Sequence, residues 1–522
     1  MNFNKNLGEI GIITGLFAAE LSETGSSSFS DRLYGYNDQF GTYQPNIDYY
    51  NQYPLYDNLG STSGTIPQGS STNNGPFNRS VSVLGNFSYI YKNRYTIYGS
   101  ARRDGSNVFG VNTNNRWKPL WSAGASWDID KESFYNLSWL PALKLRTSIG
   151  YMGNVNNSLS GLPTIVYSGT SYFTKLTQAQ VGNAANPNLR WEQVRILNVG
   201  IDYNILKGRI TGSIDVFNKR STDLISGVPF DPTTGILFYN VNSASLKGNG
   251  FELAINSINT TGSVRWETGL SVSYAKMVVS KIYNGGYRAS DFISYALQPA
   301  VGRVAYGLSS YKWGGLDPLT GDPQGYLNGK ISKDYVSIFN DSVQNQVFHG
   351  SSQPLYTGYL RNSISWKHFT LSANITFRFD YYFRKTSIDY NSLFGRWSGS
   401  ADYYARWQKP GDEKHTNIPS LLYPVPFEVS QRDVFYAGSA VNVLRGDNIR
   451  LQDARLEYLF DKNTFSKFPF TNIVLFVYAN NLNTILWRHA KSPFDPDFAG
   501  GSDANGAPTP KTYTIGAVIN IK

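Results

Sequence analysis

The 522 residues contain no cysteine. That excludes a disulfide scaffold, a thiolate metal site and a thiol nucleophile. Histidine is nearly as scarce: His349, His368, His415 and His489 stand apart, without metal-ligand spacing. No G-x-S-x-G elbow or phosphate-cradling glycine loop accompanies them, so no enzyme constellation forms. Methionine occurs three times, and charged residues make up only 16%. No run approaches the roughly 20 apolar residues of a membrane-spanning helix. The net charge of +10 is scattered, with no basic run of nucleic-acid type, so no nucleic acid partner is expected. The opening MNFNKNLGEIGIITGLFAAELSETG has only Lys5 before a short apolar patch. It matches neither a signal peptide nor a lipid-anchor site, so a leader is expected outside these residues.

What is plentiful is strand and turn chemistry: 49 Gly, 37 Tyr, 30 Phe and 11 Trp. In HFTLSANITFRFD (368 to 380), Phe369, Leu371, Ala373, Ile375, Phe377 and Phe379 alternate with polar residues. A period of two puts the two sets on opposite faces of a sheet. The apolar face meets either a protein core, as in a soluble sandwich, or lipid, as in a membrane barrel with a wet lumen. Similar segments recur as RYTIYGSAR (94 to 102), LKLRTSIGY (143 to 151), RITGSIDVFN (209 to 218), VRWETGLSVSY (264 to 274) and TYTIGAVINIK (512 to 522). Each has about the length a tilted barrel strand needs. Short turns at 92–93, 207–208, 260–262 and 367–368 alternate with long polar loops at 20–79, 152–189, 219–246, 381–444 and 483–511. Short turns at one end and long loops at the other predict an all-β, up-and-down antiparallel barrel of about fourteen strands. LKGNGF (246 to 251) reads as a short turn entering a strand, since no helix follows to make it a dinucleotide loop. No blade repeat marks a propeller, and no linkers divide the chain into sandwich domains.

Several stretches, in order, resemble one family. They are YKNRYTIYGSARRDGSNVFGVNTNNRW (91 to 117), LKLRTSIGYMGN (143 to 154), ANPNLRWEQVRILNVGIDYNILKGRITGSIDVFNKRSTDLI (185 to 225), SLKGNGFELAI (245 to 255), GLDPLTGDPQ (315 to 324), DNIRLQDARLEY (447 to 458), YANNLNT (478 to 484) and PKTYTIGAVINI (510 to 521). The series is similar to the SusC/RagA-type TonB-linked (TonB-dependent) outer-membrane receptors of Bacteroidetes. The resemblance implies the C-terminal part of a larger 22-stranded barrel, with residues 80–522 as barrel and 1–79 as a poorly matched strand and long polar loop. It implies nutrient import across the cell outer membrane with a SusD-like surface lipoprotein, and contact with outer-membrane lipid and lipopolysaccharide. Oligosaccharides or peptides are the implied substrates, and the TonB complex would act through a plug-bearing segment. Plug, TonB-contacting segment and signal peptide do not match here, and the chain ends Ile521-Lys522 where the family ends on an aromatic residue. The expectation is therefore a truncated or split receptor. Two alternatives stand beside it: a plug-free passive pore, and a soluble glycan-binding β-protein.

FGRWSGSADYYARWQKPGDE (394 to 413) places Trp397, Tyr403, Tyr404 and Trp407 beside Asp412 in a long loop. Flat rings near carboxylates suit sugars or peptides, although loop packing or an aromatic girdle is the plainer account of them. Asp317 and Asp322 in one loop, and Asp495, Asp497 and Asp503 in another, are candidate oxygen ligands for Ca2+, although Asp, Gly and Pro also build ordinary turns. No other cofactor is expected. On strand 369–379 the apolar set is expected to face lipid, with Asn374, Arg378 and Asp380 toward the lumen.

Overall fold

The alternating segments pair into one antiparallel sheet of sixteen strands. A computed structural model describes residues 1–30, 32–54, 63–67, 72–74, 77–107, 118–154, 159, 161–171, 173–174, 176–236, 238–283, 288–293, 298–422, 427–461, 470–498 and 509–521. The strands are β1 (Asn2–Asn6), β2 (Gly11–Gly25), β3 (Phe77–Tyr91), β4 (Tyr95–Ser106), β5 (Lys118–Asp128), β6 (Ala142–Asn154), β7 (Glu192–Ile205) and β8 (Ile210–Pro229). They continue with β9 (Phe238–Thr261), β10 (Val264–Lys281), β11 (Tyr356–Trp366), β12 (Phe369–Phe379), β13 (Asn448–Asp461), β14 (Asn472–Asn480), β15 (Thr484–Arg488) and β16 (Thr512–Asn520). Neighbours in the sheet follow chain order from β1 to β16, except that β14 and β15 both pair with β13. These two are halves of one long partner, broken where Asn481 and Asn483 turn left-handed at φ 54 and 45. That break, and the pairing of β1 with β2, account for the count above fourteen.

Several stretches differ from the alternation-based reading, among them β15 inside the expected loop 483–511 and paired segments 164–170 and 177–183 inside the expected loop 152–189. Residues 219–246 are largely strand: β8 runs to Pro229 and β9 starts at Phe238. The pairing slips between Ser221 and Leu224, where Asp223 has φ 57, and that bulge breaks the period of two. LKGNGF is also no turn but the middle of β9. Its glycines make room for neighbours: a Cβ on Gly250 would lie 2.5 Å from the Phe217 ring.

The wall has two faces of opposite chemistry. Phe369 pairs with Trp366 and Tyr458, and Leu371 with Ile364 and Leu456, so one face carries apolar residues across four strands. Leu371 is 51% exposed and Leu456 47%, so protein does not cover that face. The opposite face carries Arg361, Asn374 and Asp453 in one row. A sheet whose large apolar residues point outward and polar ones inward is a barrel wall. β8, β9 and β10 have 20, 24 and 18 residues, more than the roughly 9 to 11 needed to cross a bilayer, and extend past that depth.

Most buried apolar side chains lie in a cap above the wall, formed by 288–351 between β10 and β11 and by 381–447 between β12 and β13. Its short helices are α1 (Tyr335–Phe339), α2 (Tyr390–Arg396) and α3 (Phe427–Ala437). One cluster joins Ala289, Ile293, Tyr311 and Ile338 to Phe435. A second joins Ile388, Tyr390 and Tyr436, and Trp313 packs against both. Asp389 caps α2 by accepting from the Asn391 and Ser392 amides. Residues 164–170 and 177–183 pair as a separate hairpin on the same side.

Candidate functional site

The inner face of the wall carries fixed charges. Arg146 on β6 donates to both oxygens of Asp202 on β7 at 2.8 Å and to Asp215 on β8 at 3.0 Å. Asn198 also donates to Asp215, at 3.1 Å. These residues share a face because Arg146, Gly200 and Asp215 are register partners across three strands. Arg102 bridges Asp104 and Ser82 on neighbouring strands. Closer to the short turns, a polar recess of about 400 Å3 is lined by Thr211, Asn256, Glu267, Arg361 and Ser363. Such a surface holds water and polar solutes and does not suit an apolar ligand. An open groove of about 600 Å3 among Phe3, Phe17, Phe87 and Trp121 lies on the outer face and has no polar chemistry to offer.

At the long-loop end, the candidate aromatic group divides. Trp397, just after α2, is 82% exposed and held at φ 56, a strained conformation for a bulky residue. Tyr404 is 85% exposed and meets Tyr403 edge-on at 5.9 Å, while the Arg406 guanidinium lies 4.0 Å from the Tyr403 ring centre. Trp407 is buried at 7% exposure and donates to Glu413 at 3.3 Å. Asp412 accepts from the amides of Gln408 and Lys409 at 3.0 Å, and those bonds hold its carboxyl below the usual range. Trp407 and Asp412 therefore shape the loop, Tyr403 packs half-buried against the Ile388, Tyr390 and Tyr436 cluster, and Trp397 and Tyr404 present ring surface.

The carboxylates considered for calcium have cationic partners. Asp317 accepts from Lys333 at 2.8 Å, which lowers its pKa, and Asp322 accepts from Arg432 at 2.8 Å. Asp495 takes two donors from Arg450, and Asp497 lies 2.9 Å from Arg450 and 3.0 Å from Arg378. Asp503 lies outside the described residues. Among the described residues no group of three or more acidic or histidine side chains is arranged to hold a metal ion. His349 sits in the cap against Ser310 at 2.7 Å, and burial lowers it to about 4. Arg432 and Arg450, both buried, were not singled out in the sequence: Arg432 stands without a motif around it, and within DNIRLQDARLEY nothing marks Arg450 as the residue that pairs with Asp495 and Asp497.

Outward apolar strands, a charged inner face and a layered loop cap define the class: the wall and loops of a transmembrane β-barrel. The chain belongs to the TonB dependent receptor-like, beta-barrel family, whose profile matches residues 11–322. It is 24% identical over 478 residues to TonB-dependent receptor P26 of Formosa agariphila, covering 84% of this chain and 45% of that one. It is 25% identical over 472 residues to TonB-dependent receptor SusC of Bacteroides thetaiotaomicron, covering 84% and 43%. In fold it is similar to the RagAB peptide transporter, with a TM-score of 0.73 at 18% identity, covering 99% of this chain and 54% of that one. The chain thus spans about half the length of the relatives it matches.

Proposed function

We propose that this chain forms wall and cap of an outer-membrane importer for oligosaccharides or peptides, working with a SusD-like surface lipoprotein. The observation that carries the reading is the family match over residues 11–322 together with the polar inner face around Arg146, Asp202 and Asp215. Energy would come from the TonB complex through a plug-bearing segment, a part these strands and loops do not supply. Exposed Trp397 and Tyr404, with half-buried Tyr403 edge-on to Tyr404, suit the flat faces of sugar rings or peptide side chains arriving from outside. The test is deletion of the gene followed by growth on single oligosaccharide or peptide mixtures as sole nutrient, with complementation by wild type and by Trp397→Ala/Tyr404→Ala. Loss of growth on one class, weaker rescue by the double variant, and co-purification of a surface lipoprotein are expected. Unchanged growth on every class would end the importer reading.

A further inference from the structure

We infer that Lys92, Lys207 and Lys367 form a belt that binds the phosphates of anionic phospholipids in the leaflet facing the periplasm. This rests on the membrane-barrel reading above and adds a lipid-binding surface to it. The three lysines occupy the β3–β4, β7–β8 and β11–β12 turns, all at the end opposite the cap, and all are exposed. Each has left-handed backbone, with φ of 48, 55 and 54 respectively. Glycine or asparagine fits there with least strain, so turn chemistry alone does not call for lysine.

Two of the three side chains point to the lipid side. Lys92 Nζ lies 5.3 Å from the Tyr91 ring centre, and Lys367 Nζ lies 4.9 Å from that of Trp366. Both rings belong to the outward set of their strands. Around them runs an aromatic rim in which Tyr95 stacks on Trp127 at 6.2 Å and Phe369 meets Tyr458 at 4.7 Å. Such a rim sits at headgroup depth.

Several neighbouring cations at this end lie against protein carboxylates, whereas Arg209 beside Lys207 donates to the Asn259 carbonyl. Arg94 pairs with Glu132 at 3.1 Å, Lys131 and Lys144 with Asp128 at 3.5 and 3.4 Å, and Arg265 with Glu267 at 2.5 Å. Among the described residues, Lys92, Lys207 and Lys367 have no carboxylate partner. An ammonium at headgroup depth, on the lipid side and without a protein counter-ion, meets a phosphodiester.

The test uses the full chain, purified from membranes into detergent, with native mass spectrometry reading bound phosphatidylglycerol against phosphatidylcholine at equal concentration. Wild type is expected to retain phosphatidylglycerol preferentially and to lose that preference in high salt. The triple variant Lys92→Asn, Lys207→Asn, Lys367→Asn is expected to lose roughly fivefold per lysine, whereas the triple arginine variant keeps the preference. Asparagine fits left-handed turns better than lysine, so lost folding does not mimic the result, and heat-modifiable gel migration checks this directly. Equal retention of both lipids by wild type, or an unchanged preference in the asparagine variant, overturns the inference. So does displacement of the lipid by inorganic phosphate at matching concentration, which indicates a free-anion site. A chain that stays soluble without detergent instead overturns the barrel reading beneath it.

Discussion

Arg432 donates through Nε to Asp322 Oδ1 at 2.8 Å across 110 residues of chain. The same guanidinium, on α3, donates to the Ser420 carbonyl at 2.8 Å, and its side chain is only 3% exposed. It ties the 317–323 turn, the 407–420 loop and α3 into one node. Replacing it by alanine leaves Asp322 without its buried partner and is expected to cost about 3 to 5 kcal/mol. Denaturant unfolding in detergent gives the loss, and limited proteolysis is expected to cut first within 407–422. Unchanged cleavage there would argue against the node.

Gly321 lies under Trp407. It has φ 69, and a Cβ there would sit 2.4 Å from the Trp407 ring. Gly321→Ala combines left-handed strain with overpacking, for roughly 2 to 4 kcal/mol. Trp407 fluorescence is expected to shift red as the ring is displaced. A variant with wild-type emission and stability would show that the ring accommodates the methyl group.

On β12 the two faces are expected to respond differently to charge. Ile375→Arg places a cation among outward apolar residues and is expected to cost about 2 to 4 kcal/mol near the bilayer midplane. Asn374→Arg places one beside Asp453, to which Asn374 donates at 3.2 Å, and is expected to cost far less. Folding yields into lipid vesicles measure both. Equal tolerance would remove the lipid-facing assignment of this strand.

Asp433, buried on α3, is raised to about 6 by desolvation. Four groups face it: the Tyr390 amide donates at 2.8 Å, the Asn391 amide also donates, Arg432 lies 3.6 Å away, too far for a hydrogen bond, and Asp389 adds like charge. The folded pKa is higher than the unfolded one, so between about pH 4 and 6 the folded chain holds a proton that the unfolded chain has released. Stability from this group therefore rises as pH falls through that window, by about 3 kcal/mol in all. Asp433→Asn removes the dependence. The difference between variant and wild type, measured by urea unfolding at pH 4 and pH 8, isolates it, because the opposing contribution of His349 is common to both chains. A constant difference would contradict the assignment.

The wall was readable because a period of two survives wherever one face meets lipid and the other water. The stretches 94–102, 143–151, 209–218, 264–274 and 369–379 all lie within or closely match observed strands. Legibility failed where pairing slipped, as at Asp223, and where glycines served close packing, as in LKGNGF. The cap was invisible for a different reason. Its clusters join Tyr311 and Ile338 to Phe435, residues about a hundred positions apart with no shared periodicity. The aromatic loop was recognised by composition, but composition does not distinguish a ring that is packed, such as Trp407, from one that is offered, such as Trp397.

The cap draws its chain from both sides of the β11–β12 hairpin, with Ala289, Ile293, Tyr311 and Ile338 before it and Phe435 after it. Its interior cannot be completed until that hairpin has threaded the bilayer and delivered the second segment outside. A finished cap is therefore a record of correct insertion of the β11–β12 hairpin.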